Sequence, residues 1–185
     1  MKNLFSSNDL MVLRNTIGQK VNFFTGSNMS EFLDAEKIAI SAGTANVLFS
    51  TRLVASDFQG FDEDYCHIDV HEASNATMNE LEKQSGIFIQ PRDAVIQKIS
   101  VQEETIRFFE YGHNKWSYTA HTGVLFELDE GYLYVFALTY HAEIIRIQYS
   151  KTFSDLDMSP TIGDFEESIG EHFEISRSFI PLEVK

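Results

Sequence analysis

The chain has 185 residues, 43% of them hydrophobic, and its 28 acidic and 14 basic residues give a formal charge of −14. A chain of this length fits one domain and can bury a core without cross-links. The negative charge disfavours direct binding to nucleic acid or to an anionic membrane, since either surface requires a basic patch. It favours a basic protein partner instead.

Cysteine content and hydropathy indicate the compartment. Cys66 is the one cysteine, so no internal disulfide is expected. The first nine residues turn polar too early for a secretory signal, and no apolar run approaches the ~18 residues of a membrane span. We therefore expect a cytoplasmic protein that does not enter a membrane.

The first third of the chain predicts short helices and strands. Three polar residues, Ser7 to Asp9, can cap a helix, and the apolar residues after them recur at helical spacing up to Gly18. A short strand is expected over 21–24 and a short helix over 30–34.

The next segment is strongly β-like. Apolar residues alternate from Lys37 to Ala55, where residues 43–46 are a turn, a bulge or part of one long bent strand. A further strand is expected over 65–72. A helix over 76–85 follows, with Asn75 as its cap and Gly86 just past its end.

Residues 93–150 predict an antiparallel meander. Segments rich in Val, Ile, Phe, Tyr and Thr follow one another, with polar breaks expected at 102–104, 112–114, 129–131 and 141–142. A short acidic helix over 163–169 and a strand over 172–179 complete the chain. The predicted fold is α+β: one domain over 1–185, in which a few short helices pack on a curved antiparallel sheet.

The sharpest constellation for chemistry is the run from Cys66 to His71. On a strand, His67, Asp69 and His71 share one face and could contribute to a two-histidine, one-carboxylate metal site, with His121 as a further ligand. Residues four apart on a regular strand lie ~13 Å apart, so both histidines cannot bind one ion there. An ordinary polar outer face is the alternative. Cys66 belongs to the apolar face and is expected to be a buried thiol.

No nucleotide-binding, nucleophile-elbow, zinc-protease or C-x-x-C motif occurs, and no cofactor or catalytic residue is expected. Acidic residues are concentrated in two segments, where they could form one interaction face or a merely solvated rim. The candidate partner-binding residues are Asp57, Asp62, Glu63, Asp64, Asp155, Asp157, Asp164, Glu166 and Glu167.

These observations favour a protein-binding module that covers a basic surface of a toxin or a nucleic-acid enzyme. Toxin-immunity and inhibitor proteins are often small and acidic; this likeness is one of type and rests on no motif. The alternative is a small-ligand-binding or metal-dependent enzyme with a pocket on the sheet. A third reading is an assembly subunit, in which an exposed sheet edge pairs with a second copy.

Overall fold

The computed structural model describes residues 2–57, 62–91, 93–158 and 168–183, and only the backbone of residues 56, 57, 62 and 63. Strands account for 57% of the structure, beside two short helices. In chain order the elements are β1 (Lys2–Asn3), α1 (Ser7–Arg14), β2 (Val21–Gly26), β3 (Asp34–Ala35), β4 (Lys37–Ala42), β5 (Ala45–Asp57), β6 (Asp62–Glu72), α2 (Asn75–Ser85), β7 (Ile96–Glu110), β8 (His113–Leu128), β9 (Gly131–Ala137), β10 (Ile145–Ser150), a 3₁₀ helix (Phe153–Asp155) and β11 (Glu171–Pro181).

The strands form two sheets. The larger has the order β11-β7-β8-β9-β10-β3, with β1 pairing in parallel with β8, and the smaller has the order β2-β4-β5-β6. All other strand pairs are antiparallel. The predicted α+β class with an antiparallel sheet is confirmed. The strands divide into two sheets because β2, β4, β5 and β6 pair only with one another, whereas β3 pairs with β10 in the larger sheet.

The two sheets enclose a common core. Phe49 of β5 meets Phe126 of β8 edge-on, with ring centroids 6.2 Å apart, and both side chains are fully buried. Leu13 of α1 joins the same cluster from one side. Each such side chain contributes about 1.5–3 kcal/mol by leaving water. β9 is buried on both faces, as its sequence predicts for a central strand.

The polar break expected at 102–104 is wrong. β7 runs through these residues without interruption, and the sequence irregularity appears instead as a shift of register. Gln102 pairs with Gly123 and Glu103 with His121, so Thr122 is an extra residue on β8, as in a β-bulge. The three polar residues of β7 therefore belong to a strand rather than to a turn.

Both predicted major helices are present with adjusted ends. Ser6 caps α1: its hydroxyl accepts from the Asp9 N–H at 3.2 Å, and the Asp9 carboxylate accepts from the Ser6 N–H at 2.7 Å. α1 ends at Arg14, before Gly18. Ser74 rather than Asn75 caps α2, whose Met78 packs on the outer face of the small sheet.

The helix expected over 30–34 is wrong. These residues form a turn that leads into β3, and Leu33 has a positive φ of 61°, which no helix accommodates. Residues 163–167 of the other predicted short helix lie outside the described residues. Among those described, no helix is long and apolar enough to cross a membrane.

Candidate functional site

An acidic cleft of about 360 Å³ lies at the β10 side of the larger sheet, where the 3₁₀ helix folds back toward the turn before β3. Its lining residues are Glu31, Phe32, Leu33, Arg146, Ile147, Gln148, Tyr149, Asp155, Leu156 and Asp157. Two of the acidic residues predicted to bind a partner, Asp155 and Asp157, are exposed at this cleft.

The turn over residues 30–34 shapes one wall. The Ser30 hydroxyl accepts from the backbone N–H groups of Phe32 and Asp34, at 3.1 and 3.2 Å. This arrangement holds the Phe32 ring outward, where 65% of the residue is exposed. An exposed aromatic ring beside carboxylates can contact both the stem and the charge of a cationic side chain.

The opposite wall is fixed by hydrogen bonds. The Asp157 N–H donates to Gln148 Oε1 at 2.9 Å, which ties the loop to β10. The Ser154 hydroxyl donates to Asp155 Oδ1 at 3.3 Å. Leu156 between the two acids is buried, so both carboxylates are held at the surface by an anchored segment.

The base that lines this cleft already has a partner. Arg146 donates to Asp34 through Nε at 2.5 Å and through Nη2 at 2.9 Å, a bidentate pair. The hydrogen bond to Asp34 raises the pKa of Arg146. The cleft lining has three acids, Glu31, Asp155 and Asp157, and one base, Arg146, so the lining is negative.

The other predicted acidic residues are only partly described. Asp57 and Asp62 pair in register at the end of the β5–β6 hairpin, and Glu63 and Asp64 follow on β6. The side chain of Asp64 is exposed. Asp164, Glu166 and Glu167 lie outside the described residues. Whether all these acids form one face therefore stays a prediction.

The predicted metal ligands lie in different environments. His67 is buried, with 5% exposure, rather than at the outer surface, because α1 packs against β6. Its Nε2 lies 3.2 Å from Asp69 Oδ1, while the Arg52 Nε donates to Asp69 Oδ2 at 2.7 Å. His71 is exposed near the end of β6. Burial lowers the pKa of His67.

His121 lies on β8 beside the amino-terminal segment. Its Nδ1 accepts a hydrogen bond from the Phe5 N–H at 2.9 Å, and the Phe5 ring packs edge-on against the imidazole at 4.9 Å. Burial, with a smaller effect from the nearby His67, lowers the pKa of His121 to about 4. In the described part of the chain, no three His, Cys, Asp or Glu side chains are arranged to hold a metal ion.

Cys66 is a buried thiol, as expected. Its side chain joins the core between the sheets, and burial raises its pKa to about 12. A thiol with this pKa is protonated at neutral pH and is a poor nucleophile.

A buried polar cluster on the outer face of the larger sheet was not anticipated. Glu104, 1% exposed, accepts hydrogen bonds from Gln102 Nε2 at 3.0 Å, Arg177 Nε at 2.5 Å and the Tyr140 hydroxyl. The Tyr134 hydroxyl donates to Gln102 Oε1. The sequence signal for this cluster is the run of polar residues inside an otherwise apolar strand. A satisfied network of this kind specifies packing.

Comparisons with models of known families, with curated proteins and with solved structures find no match. The site must therefore be interpreted from its own chemistry.

Proposed function

We propose that this protein is a cytoplasmic binding module that covers a basic surface of another protein and acts as an inhibitor or immunity protein. The observation that supports the proposal most directly is the acidic cleft. It combines Asp155, Asp157 and Glu31 with the exposed ring of Phe32. A lysine or arginine side chain of the partner would enter it, with its charge at the carboxylates and its stem on the ring.

The pairing of basic side chains elsewhere supports the same proposal. Outside the cleft, the basic groups in ion pairs with carboxylates include Arg52, Lys98, Arg107, Lys115 and Arg177. These pairs neutralise equal numbers of acids and bases and leave the excess of acids. An acidic surface accelerates association with a basic partner and makes the rate depend on salt.

The test is affinity capture from the native host with the Asp155→Lys, Asp157→Lys double variant beside the unmodified protein. We expect the unmodified protein to retain a stoichiometric basic partner at low salt and to lose it at high salt. The double variant should retain at least tenfold less, because reversing two charges at a contact costs more than 1.4 kcal/mol.

The matched control reverses two exposed acids away from the cleft, Glu72→Lys with Glu80→Lys, and changes the net charge equally. If both variants lose the partner alike, overall charge rather than the cleft is responsible. Recovery of no basic partner at either salt would contradict the proposed function itself.

A further inference from the structure

Most sheet edges are short or already bonded in the part of the chain that the structure describes. At the β2 edge, the Phe24 N–H donates to the Phe88 carbonyl at 3.0 Å. At the β6 edge, the Cys66 N–H donates to the Tyr140 carbonyl at 2.6 Å. One edge of the larger sheet ends in β3, which has only two residues.

The remaining edge, β11, is different. It is eleven residues long, and its register with β7 continues without a shift from Glu171 opposite Glu110 to Pro181 opposite Ser100. Within residues 2–57, 62–91, 93–158 and 168–183, no strand pairs with its other side. Alternate residues along it are exposed, and Ile180 is 41% exposed.

Long edges invite pairing with another chain, and monomeric proteins protect them with charged side chains, lysine above all, with bulges or with prolines. β11 has little of this protection: its charged residues are Glu171, Glu174 and Arg177, and Arg177 is paired with Glu104. It contains no lysine, its pairing shows no bulge, and its one proline, Pro181, is its last residue. Its formal charge is −1, from Glu171, Glu174 and Arg177, although the chain carries −14.

We propose that β11 is the interface with a second copy of this chain. The two strands pair antiparallel about a two-fold axis at Ser176, which joins the two larger sheets into one. This register pairs all eleven residues of each strand. Centring it on Glu174 or on Arg177 would place like charges opposite each other, and centring it on Ile175 would leave Ile180 and Pro181 unpaired.

The side chains match across this axis. Glu174 lies opposite Ser178 of the second copy, which can donate a hydrogen bond to it. On the other face, Phe173 lies opposite Phe179 and Ile175 opposite Arg177, whose charge Glu104 already balances. No cross-strand pair in this register brings like charges together, although Glu171 then lies opposite Pro181 and His172 opposite Ile180.

This interface goes beyond the proposed function and leaves it intact. The acidic cleft lies beside β10 and β3, at the opposite edge of the same sheet. β11 contributes no residue to the lining of the cleft, although Phe153 of the 3₁₀ helix packs against Phe179 of β11. Separate variants, at Ser176 for the dimer and at Asp155 and Asp157 for the cleft, distinguish loss of the dimer from loss of partner binding.

Sedimentation equilibrium tests the interface. We expect the purified protein to approach 42.2 kDa, twice its 21.1 kDa, as its concentration rises to about 100 µM. Ser176→Lys should weaken dimerisation roughly tenfold, because two ammonium groups would then meet at the axis. Thr44→Lys, an equal charge change in the exposed β4–β5 turn, should have no effect.

Cross-linking tests the register. Ser176→Cys should form a disulfide-linked dimer on oxidation with diamide, because residue 176 meets its own copy. Ser178→Cys should not, because it meets Glu174. A monomer at every concentration, or a dimer that Ser176→Lys leaves unchanged, would overturn the proposal; circular dichroism checks that each variant is folded.

Discussion

At the scale of single residues, the buried His121 holds the amino-terminal segment against the larger sheet. His121 must be neutral to accept the hydrogen bond from Phe5, since its Nδ1 is then an acceptor. A proton on this nitrogen would break the bond and leave a charge in a buried site. The pKa of His121, lowered from 6.5 to about 4, expresses this cost.

The lowered pKa predicts acid sensitivity. Between pH 6.5 and 4 the unfolded chain binds a proton at His121 that the folded chain does not, so acidification favours unfolding. The contribution of neutral His121 to the free energy of unfolding is complete above pH 6.5 and disappears as the pH falls through 4. This contribution amounts to ~3 kcal/mol. Urea unfolding at a series of pH values measures it.

The control is His121→Asn, whose side-chain oxygen can still accept from the Phe5 N–H but does not titrate. We expect its free energy of unfolding to depend less on pH between 6.5 and 5 than that of the unmodified protein. If the free energy of unfolding depended on pH equally in the two proteins, His121 would not be the cause of the acid sensitivity, whatever their absolute stabilities.

Glu104 is the second residue whose environment predicts a large effect. Glu104→Gln removes the charge that balances Arg177, and we expect a loss of about 2–4 kcal/mol in the free energy of unfolding. Glu174→Gln breaks an exposed ion pair with Arg107 on the same two strands, and should cost less than about 1 kcal/mol.

Urea unfolding of both variants measures the difference. Adding Arg177→Met to Glu104→Gln should recover part of the loss, because the unpaired cation is then absent. Equal effects of Glu104→Gln and Glu174→Gln would show that the buried pair contributes no more than the exposed one.

At the scale of elements, α1 depends on its cap. Ser6→Ala removes the hydroxyl that accepts from the Asp9 N–H, and we expect a loss of about 1 kcal/mol in the free energy of unfolding. Ser7→Ala, at the exposed first residue of the same helix, is the matched control and should change stability by less than about 0.5 kcal/mol. Thermal unfolding compares the two; similar losses would contradict the capping role.

The elements also show what local sequence can predict. Alternating apolar residues identified β4 to β6, and the doubly apolar segment identified β9 as central, because each signal is contained in one strand. β7 was predicted as two strands rather than one, because the polar residues from Gln102 to Glu104 suggested a turn. The group that satisfies Glu104, Arg177, lies 73 residues away, and no local pattern reports such a partner.

At the scale of the whole molecule, composition and strand content predicted the fold class but not its division into two sheets. That division depends on which strands pair, and pairing partners can be far apart in sequence. β11, for example, pairs with β7, although β8, β9 and β10 lie between them along the chain. The candidate cleft was likewise predicted only in part. Asp155 and Asp157 were singled out by charge, whereas Phe32 and Glu31 come from a turn that the sequence suggested was helical.

The pairing of β1 with β8 has a consequence for how the chain is made. Lys2 and Asn3 pair with Thr119 and Ala120, which are synthesised more than a hundred residues later. α1, with Val12 and Leu13 on its buried side, likewise waits for β6, which lies about fifty residues further along the chain. β1 and α1 therefore reach their native places only after these later strands are made, and the apolar side of α1 is open to chaperones until then.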